Sequence, residues 1–243
     1  MPERGVKPHA SFLALCGLAL RLVLRRFPLF ATATAIAIGL QALLAIVWRV
    51  PHAVLLGSFV VLPILTTLVY AFVAADTRPE PMPAAAAWER FLERSWAVVI
   101  IDFVLAYIGA IGLSGASSAA PVGAIVGILA LGLSAALVFT DAAATVDDDV
   151  TVASVIPHAF VRGLTTAWRW PIFPRAIAIF SIQLIVYALE NATFTLLQHR
   201  HVAEPEFWSQ VPILTLVVPP LAALTGLVYL DANEAGANRN EDS

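Results

Sequence analysis

Six long apolar runs divide the chain: Leu29 to Trp48, Ala53 to Ala75, Ala97 to Ser114, Val122 to Thr140, Ala176 to Leu197 and Val211 to Leu230. Each is close to the roughly 20 residues an α-helix needs to cross about 30 Å of hydrocarbon. A backbone in lipid must satisfy its own hydrogen bonds, so runs of this length and number leave only an all-α polytopic membrane fold. Composition agrees: 60% of the 243 residues are hydrophobic and 13% charged, against roughly 25% charged in a soluble domain.

An even number of spans puts both termini on one side. The terminal-side segments then hold Arg4, Lys7, Arg21, Arg25, Arg26, Arg78, Arg90, Arg94, Arg162, Arg169, Arg175 and Arg239, and the far side holds only Arg49 and Arg200. Twelve against two predicts a multi-pass protein of the cell membrane with both termini in the cytoplasm, because orientation follows Lys and Arg and not net charge. The formal charge of −3 is therefore no objection, and it gives no footing for a nucleic-acid partner. The lone Cys16 excludes an internal disulfide. Arg25-Arg26 ahead of an apolar run is no export signal, since that run is too long for a signal core and five more follow.

Three further stretches have helical periodicity: Ser11 to Phe27, Ala85 to Trp96 and Ser154 to Trp170. In the second, Glu89, Arg90, Glu93 and Arg94 oppose Trp88, Phe91, Leu92 and Trp96. In the third, Ser154 is the expected N-cap, with Pro157 in the first turn where no backbone donor is needed. These pieces predict one membrane domain over 1–243, built as three hairpins of two spans, each preceded by an amphipathic interfacial helix. The units cover about 11–75, 84–143 and 154–231, with a polar tail at 232–243. Arg21, Arg25, Arg26, Arg94, Trp96, Arg162, Arg169 and Trp170 are the expected interfacial residues, with arginine meeting lipid phosphate and the aromatic ring at the headgroup level.

Ionisable groups inside hydrocarbon are functional candidates by default. Glu190 lies about 21 Å into the fifth span at 1.5 Å per residue, and Gln183, Tyr187, Glu190 and Asn191 share one helix face. Asp102 lies about 8 Å into the third span. A relay or solute contact at these residues competes with the commoner structural reading, a carboxyl hydrogen-bonded within the bundle. Pro219 and Pro220 remove two backbone donors and predict a break in the sixth span. Gly109, Gly112 and Gly115 in one span, and Gly123 and Gly127 in the next, predict close helix packing.

Asp147 to Asp149 read as a solvated acidic turn, and His199 and His201 with Glu204 and Glu206 lack a metal-site spacing. No metal or cofactor is expected. Nothing groups a nucleophile, base and orienter, so no enzymatic activity is expected either.

The stretch from Val146-Asp147 to Ser154, then Ala159-Phe160-Val161-Arg162 and Trp168-Arg169-Trp170, together with Pro220-Leu221 leading to Tyr229-Leu230-Asp231 and Glu234, resembles the membrane domain that precedes glycerophosphodiester phosphodiesterases and also stands alone in many bacterial proteins. In this tail Ala232 and Asn233 replace the basic residue of that pattern, and no phosphodiesterase domain is expected within these 243 residues. The resemblance implies a bacterial inner-membrane protein without the hydrolase activity. The leading functional expectation is a non-catalytic structural or auxiliary membrane protein, acting on lipids, a partner protein or a second copy of itself. The alternative is a small-solute or lipid transporter that uses the intramembrane carboxylates and the broken sixth helix.

Overall fold

The computed structural model describes residues 10–43, 53–78, 82–117, 120–148 and 150–241, and among these every regular element is a helix. Five stretches are long and apolar enough to cross a membrane: 59–77, 84–116, 121–146, 172–199 and 205–233. The chain is therefore a helical, multi-pass membrane protein. Phe27–Ala42 (α2) is apolar but shorter, and the rest of the first expected span falls outside the described residues.

Helix α1 (Phe12–Arg25) starts at Ser11, whose Oγ accepts from the Ala14 N–H at 3.2 Å. A single residue, Arg26, separates it from α2, where Pro28 occupies the first turn. Leu15, Ala19 and Leu22 follow the spacing of one helix face and are buried, packing in the main core against α10 (Val218–Glu241). On other faces Leu13, Leu20 and Leu24 are exposed. Thus α1 is apolar both toward the protein and away from it.

Helix α3 (Ala53–Thr77) lies at the centre, with 67% of its apolar window buried, and packs on α4 (Ala84–Ala116) and α10. Pro63 sits inside it, and the hydroxyls of Thr66 and Thr67 bond back along the same helix, donating to the Pro63 carbonyl at 2.9 and 2.7 Å. Helix α4 packs on α5 (Pro121–Ala136) through small residues. A Cβ at Gly115 would lie 2.7 Å from the Gly127 Cα, and one at Gly127 would run into the Ala116 nitrogen, so these backbones touch. Gly109 is different, because a Cβ there would meet nothing within 4 Å.

The second interfacial helix differs from expectation. Residues 84–116 form one unbroken helix, about 50 Å long at 1.5 Å per residue. No elbow forms at Arg94-Ser95-Trp96. The reason is local: the other two junctions are followed by Pro28 and Pro171, whereas nothing between Glu93 and Ala97 interrupts the hydrogen-bond ladder.

The fourth expected span bends. Between α5 and α6 (Thr140–Val146), the chain tightens into i+3 bonds from Leu137 N to Ser134 O and from Thr140 N to Leu137 O, and the Thr140 hydroxyl adds a 2.7 Å bond to Leu137 O. Helix α7 (Val155–Ala167) closes on this bend at Gly163, where a Cβ would lie 2.7 Å from Thr140 Oγ1. Ser154 precedes α7 without capping it, its hydroxyl bonding Thr151 Oγ1 at 2.8 Å instead.

Helix α8 (Ile172–His199) is the loosest span, with only 17% of its apolar window buried. The sixth expected span comprises α9 (Pro205–Pro212), a π-helical turn at Ile213–Val217 and α10. The irregularity precedes Pro219-Pro220 and does not break the helix at them. Their rings would strike carbonyls of the preceding turn, and the wider π turn, with the Val218 N–H reaching Ile213 O, re-spaces those carbonyls. Helix α10 continues into the polar C-terminal stretch as far as Glu241.

Candidate functional site

A cavity of about 420 Å³ lies among α3, α4, the α5–α6 bend, α8, the π turn and α10. Gln183, Tyr187, Glu190 and Asp102 all line it, so the polar face of α8 and the acid of α4 meet in one place. Opposite Asp102 stands Asp141, carried inward by the bend that precedes it. The two carboxyls are within hydrogen-bonding reach of each other. A carboxylate only accepts, so the two could bond each other only with a proton on one partner. Asp141 Oδ1 is shielded from solvent and has no hydrogen-bond partner. Tyr70 and Thr225 line the cavity too, the Thr225 hydroxyl donating to Leu221 O at 2.9 Å. Glu190, further along α8, shares a smaller space with Gln210 of α9.

Glu190 also opens onto a smaller space of about 180 Å³ shared with Asn191, Glu206 and Gln210. Asn191 lines this outer space and a lateral groove, and it does not line the main cavity. The π turn contributes Ile213 and Val217 to the cavity wall; Pro219 and Pro220 themselves are not on it. Gly109 is on it, and its missing side chain leaves room for the cavity instead of serving helix contact.

The expected interfacial residues separate into two groups. Arg21, Arg25, Arg169, Trp96 and Trp170 are exposed, as lipid contact requires. Arg94 does not face lipid: it is buried, donating to Val150 O at 2.8 Å, because the straight α4 carries it against the loop before α7. Arg26 is also turned inward, donating from Nε and Nη2 to the two Asp76 oxygens at 3.0 and 2.6 Å with its guanidinium over Phe72. The hydrogen bond to Asp76 raises the Arg26 pKa above its ordinary value. Arg162 approaches Asp147 at 3.7 Å.

These contacts belong to a network that ties the arginine-rich end together. Asp147 accepts from Tyr229 Oη at 2.8 Å and pairs with His158 Nε2 at 2.8 Å, joining α10 and α7 to the chain after α6. Arg90 reaches Val146 O at 2.7 Å and, with Arg78, Asp148. Asp231, fully buried, accepts from Arg175 Nη1 at 2.5 Å and from the Ala10 N–H, while Arg175 Nη2 donates to Ala10 O. The acidic turn at Asp147 and Asp148 is thus a structural hub; Asp149 lies outside the described residues.

Asp141 and Tyr70 are the site residues that sequence reasoning missed. Asp141 stands one position past the expected end of the fourth span, and a Thr-Asp pair there reads as a span terminus. Its only sequence signal was that apolar residues resume at once with Ala142 to Ala144.

No family model matches this chain, and no curated protein and no solved structure matches it.

Proposed function

We propose that this chain is a six-span protein of the cell membrane, with both termini in the cytoplasm, that binds a small organic cation in the acid-lined cavity and carries it across the bilayer. The observation that carries this reading is the convergence of Asp102, Asp141 and Glu190 on one cavity whose described lining includes no Lys, Arg or His. A monovalent cation about 4 Å from a carboxylate gains about 4 kcal/mol at an effective dielectric of about 20, which offsets part of its desolvation. Binding at the Asp102–Asp141 pair displaces the shared proton, so one positive charge replaces another. The π turn supports the same reading, since interrupted spans near the bilayer centre form solute sites in many transporters.

The test is ethidium flux into proteoliposomes under an imposed pH gradient. Wild-type protein is expected to exceed protein-free liposomes, and Asp102→Asn and Asp141→Asn are expected to lose at least tenfold while eluting as folded protein. Flux equal to the protein-free background, or Asn variants that transport like wild type, would refute the reading.

The second reading is a structural or auxiliary membrane protein without catalytic activity. The ion-pair network at the arginine-rich end favours it, because that end is tied down as a docking platform would be. A stoichiometric partner retained after gentle detergent extraction, combined with no flux, would select it. The likeness to the stand-alone phosphodiesterase-associated membrane domain is compatible with either function.

A further inference from the structure

Alongside the acid-lined cavity runs a groove of about 820 Å³, bounded by Leu113 at the far end of α4 and by α8. It is open along its length, and most of its surface is apolar. The α8 side carries a polar ladder at intervals of four residues, Tyr187, Asn191, Thr195 and His199. Two of its rungs are internally bonded: Thr195 Oγ1 donates to Asn191 O at 2.9 Å, and His199 Nδ1 lies 2.7 Å from Thr195 O. Tyr187 lines the groove, the outer space and the main cavity, and it is the point where all three meet.

A groove open on one side in a membrane span faces lipid, and an apolar wall there is solvated by acyl chains. Thr195 and His199 are bonded within α8, so the ladder's groups that lack a lipid partner are the side chains of Tyr187 and Asn191, one polar pair on an apolar wall. It serves a ligand that has both an apolar tail and a polar head. Acidic groups continue inward from Glu206 through Glu190 to Asp102 and Asp141, so the head that follows them is a cation. Resting on the cavity reading above, the geometry points to an amphiphilic monocation as the transported class, entering or leaving sideways between α8 and the outer end of α4, with its tail in the groove and its head in the cavity. Loose packing of α8, the least buried span, fits a helix that must let such a molecule pass.

The probes are dodecyltrimethylammonium and tetramethylammonium, which share a head and differ in tail. Their binding to purified protein in lipid nanodiscs is measured against protein-free nanodiscs to remove partition into lipid. Wild type is expected to bind the long-chain probe at least tenfold more tightly. Ala188→Trp fills the groove beside Tyr187 and is expected to abolish that preference while leaving tetramethylammonium within about twofold. Ala192→Trp, one turn further out, should do the same, so the result does not depend on one variant folding. Asp141→Asn is expected to weaken both probes. Equal binding of the two probes by wild type, or an unchanged preference in both Trp variants, overturns the lateral route and leaves the cavity reading standing. Failure of wild type to bind either probe overturns both.

Discussion

Replacing Asp231 by alanine removes a buried ion pair. Its side chain has 0% exposure, that of Arg175 has 14%, and the pair is closed by Ala10, which donates its N–H to Asp231 and accepts from Arg175. Three separate segments therefore meet at one carboxylate: the chain two residues before α1, the first turn of α8 and the middle of α10. Removing one member of a buried ion pair costs about 3–5 kcal/mol, mostly because the remaining charge is left without a partner. For a chain of this size about 1 kcal/mol moves a melting temperature by roughly 2–4 °C, so a fall of about 6–20 °C is expected. The assay is thermal unfolding followed by intrinsic tryptophan fluorescence in detergent. The double variant Asp231→Ala/Arg175→Ala removes the orphaned charge, and it should be less destabilised than the sum of the singles by about 2–3 kcal/mol. A shift under about 2 °C for Asp231→Ala, or strict additivity in the cycle, would show that the contact is not holding these segments together.

Gly127→Ala drives a methyl group into the α4 backbone and is expected to cost at least about 1–3 kcal/mol, whereas Gly109→Ala, with nothing within 4 Å, should leave the melting temperature unchanged. The two expected lipid arginines that the structure separates give an internal control. Arg94→Ala should destabilise by at least about 1 kcal/mol through the orphaned Val150 carbonyl, while exposed Arg169→Ala stays within about 0.5 kcal/mol; equal effects would contradict the burial of Arg94. Tyr229→Phe leaves Asp147 its His158 contact but removes a hydrogen bond to both carboxylate oxygens. A loss of about 1–3 kcal/mol is expected in the same assay.

Five long apolar helices were legible because hydrocarbon demands runs that no soluble fold requires, although the helix holding Ala97 to Ser114 begins well before the run, at Ala84. The junctions were legible only in part. Pro28 and Pro171 signal a turn by removing a donor, but Arg94-Ser95-Trp96 resembles them in charge and aromatic content while having no proline, and backbone chemistry decided the outcome. Prolines 219 and 220 announced an irregularity without saying where it would fall, since the strain is relieved one turn upstream. For the site, Gln183, Tyr187 and Glu190 share a face by helical arithmetic. Their meeting with Asp102 depends on which helices neighbour one another, and that is a tertiary fact. Asp141 was hidden because a carboxylate at a span end is normally wet, and only the bend after Leu137 turns it inward.

Proton release on cation binding tests the central claim most directly. Purified protein in weakly buffered solution is titrated with tetramethylammonium, and the acidification is followed against the amount bound. If Asp102 and Asp141 share one proton and the cation takes its place, close to one proton appears per cation bound, and Asp141→Asn abolishes the release. Binding without release, or release unchanged in Asp141→Asn, would contradict the account.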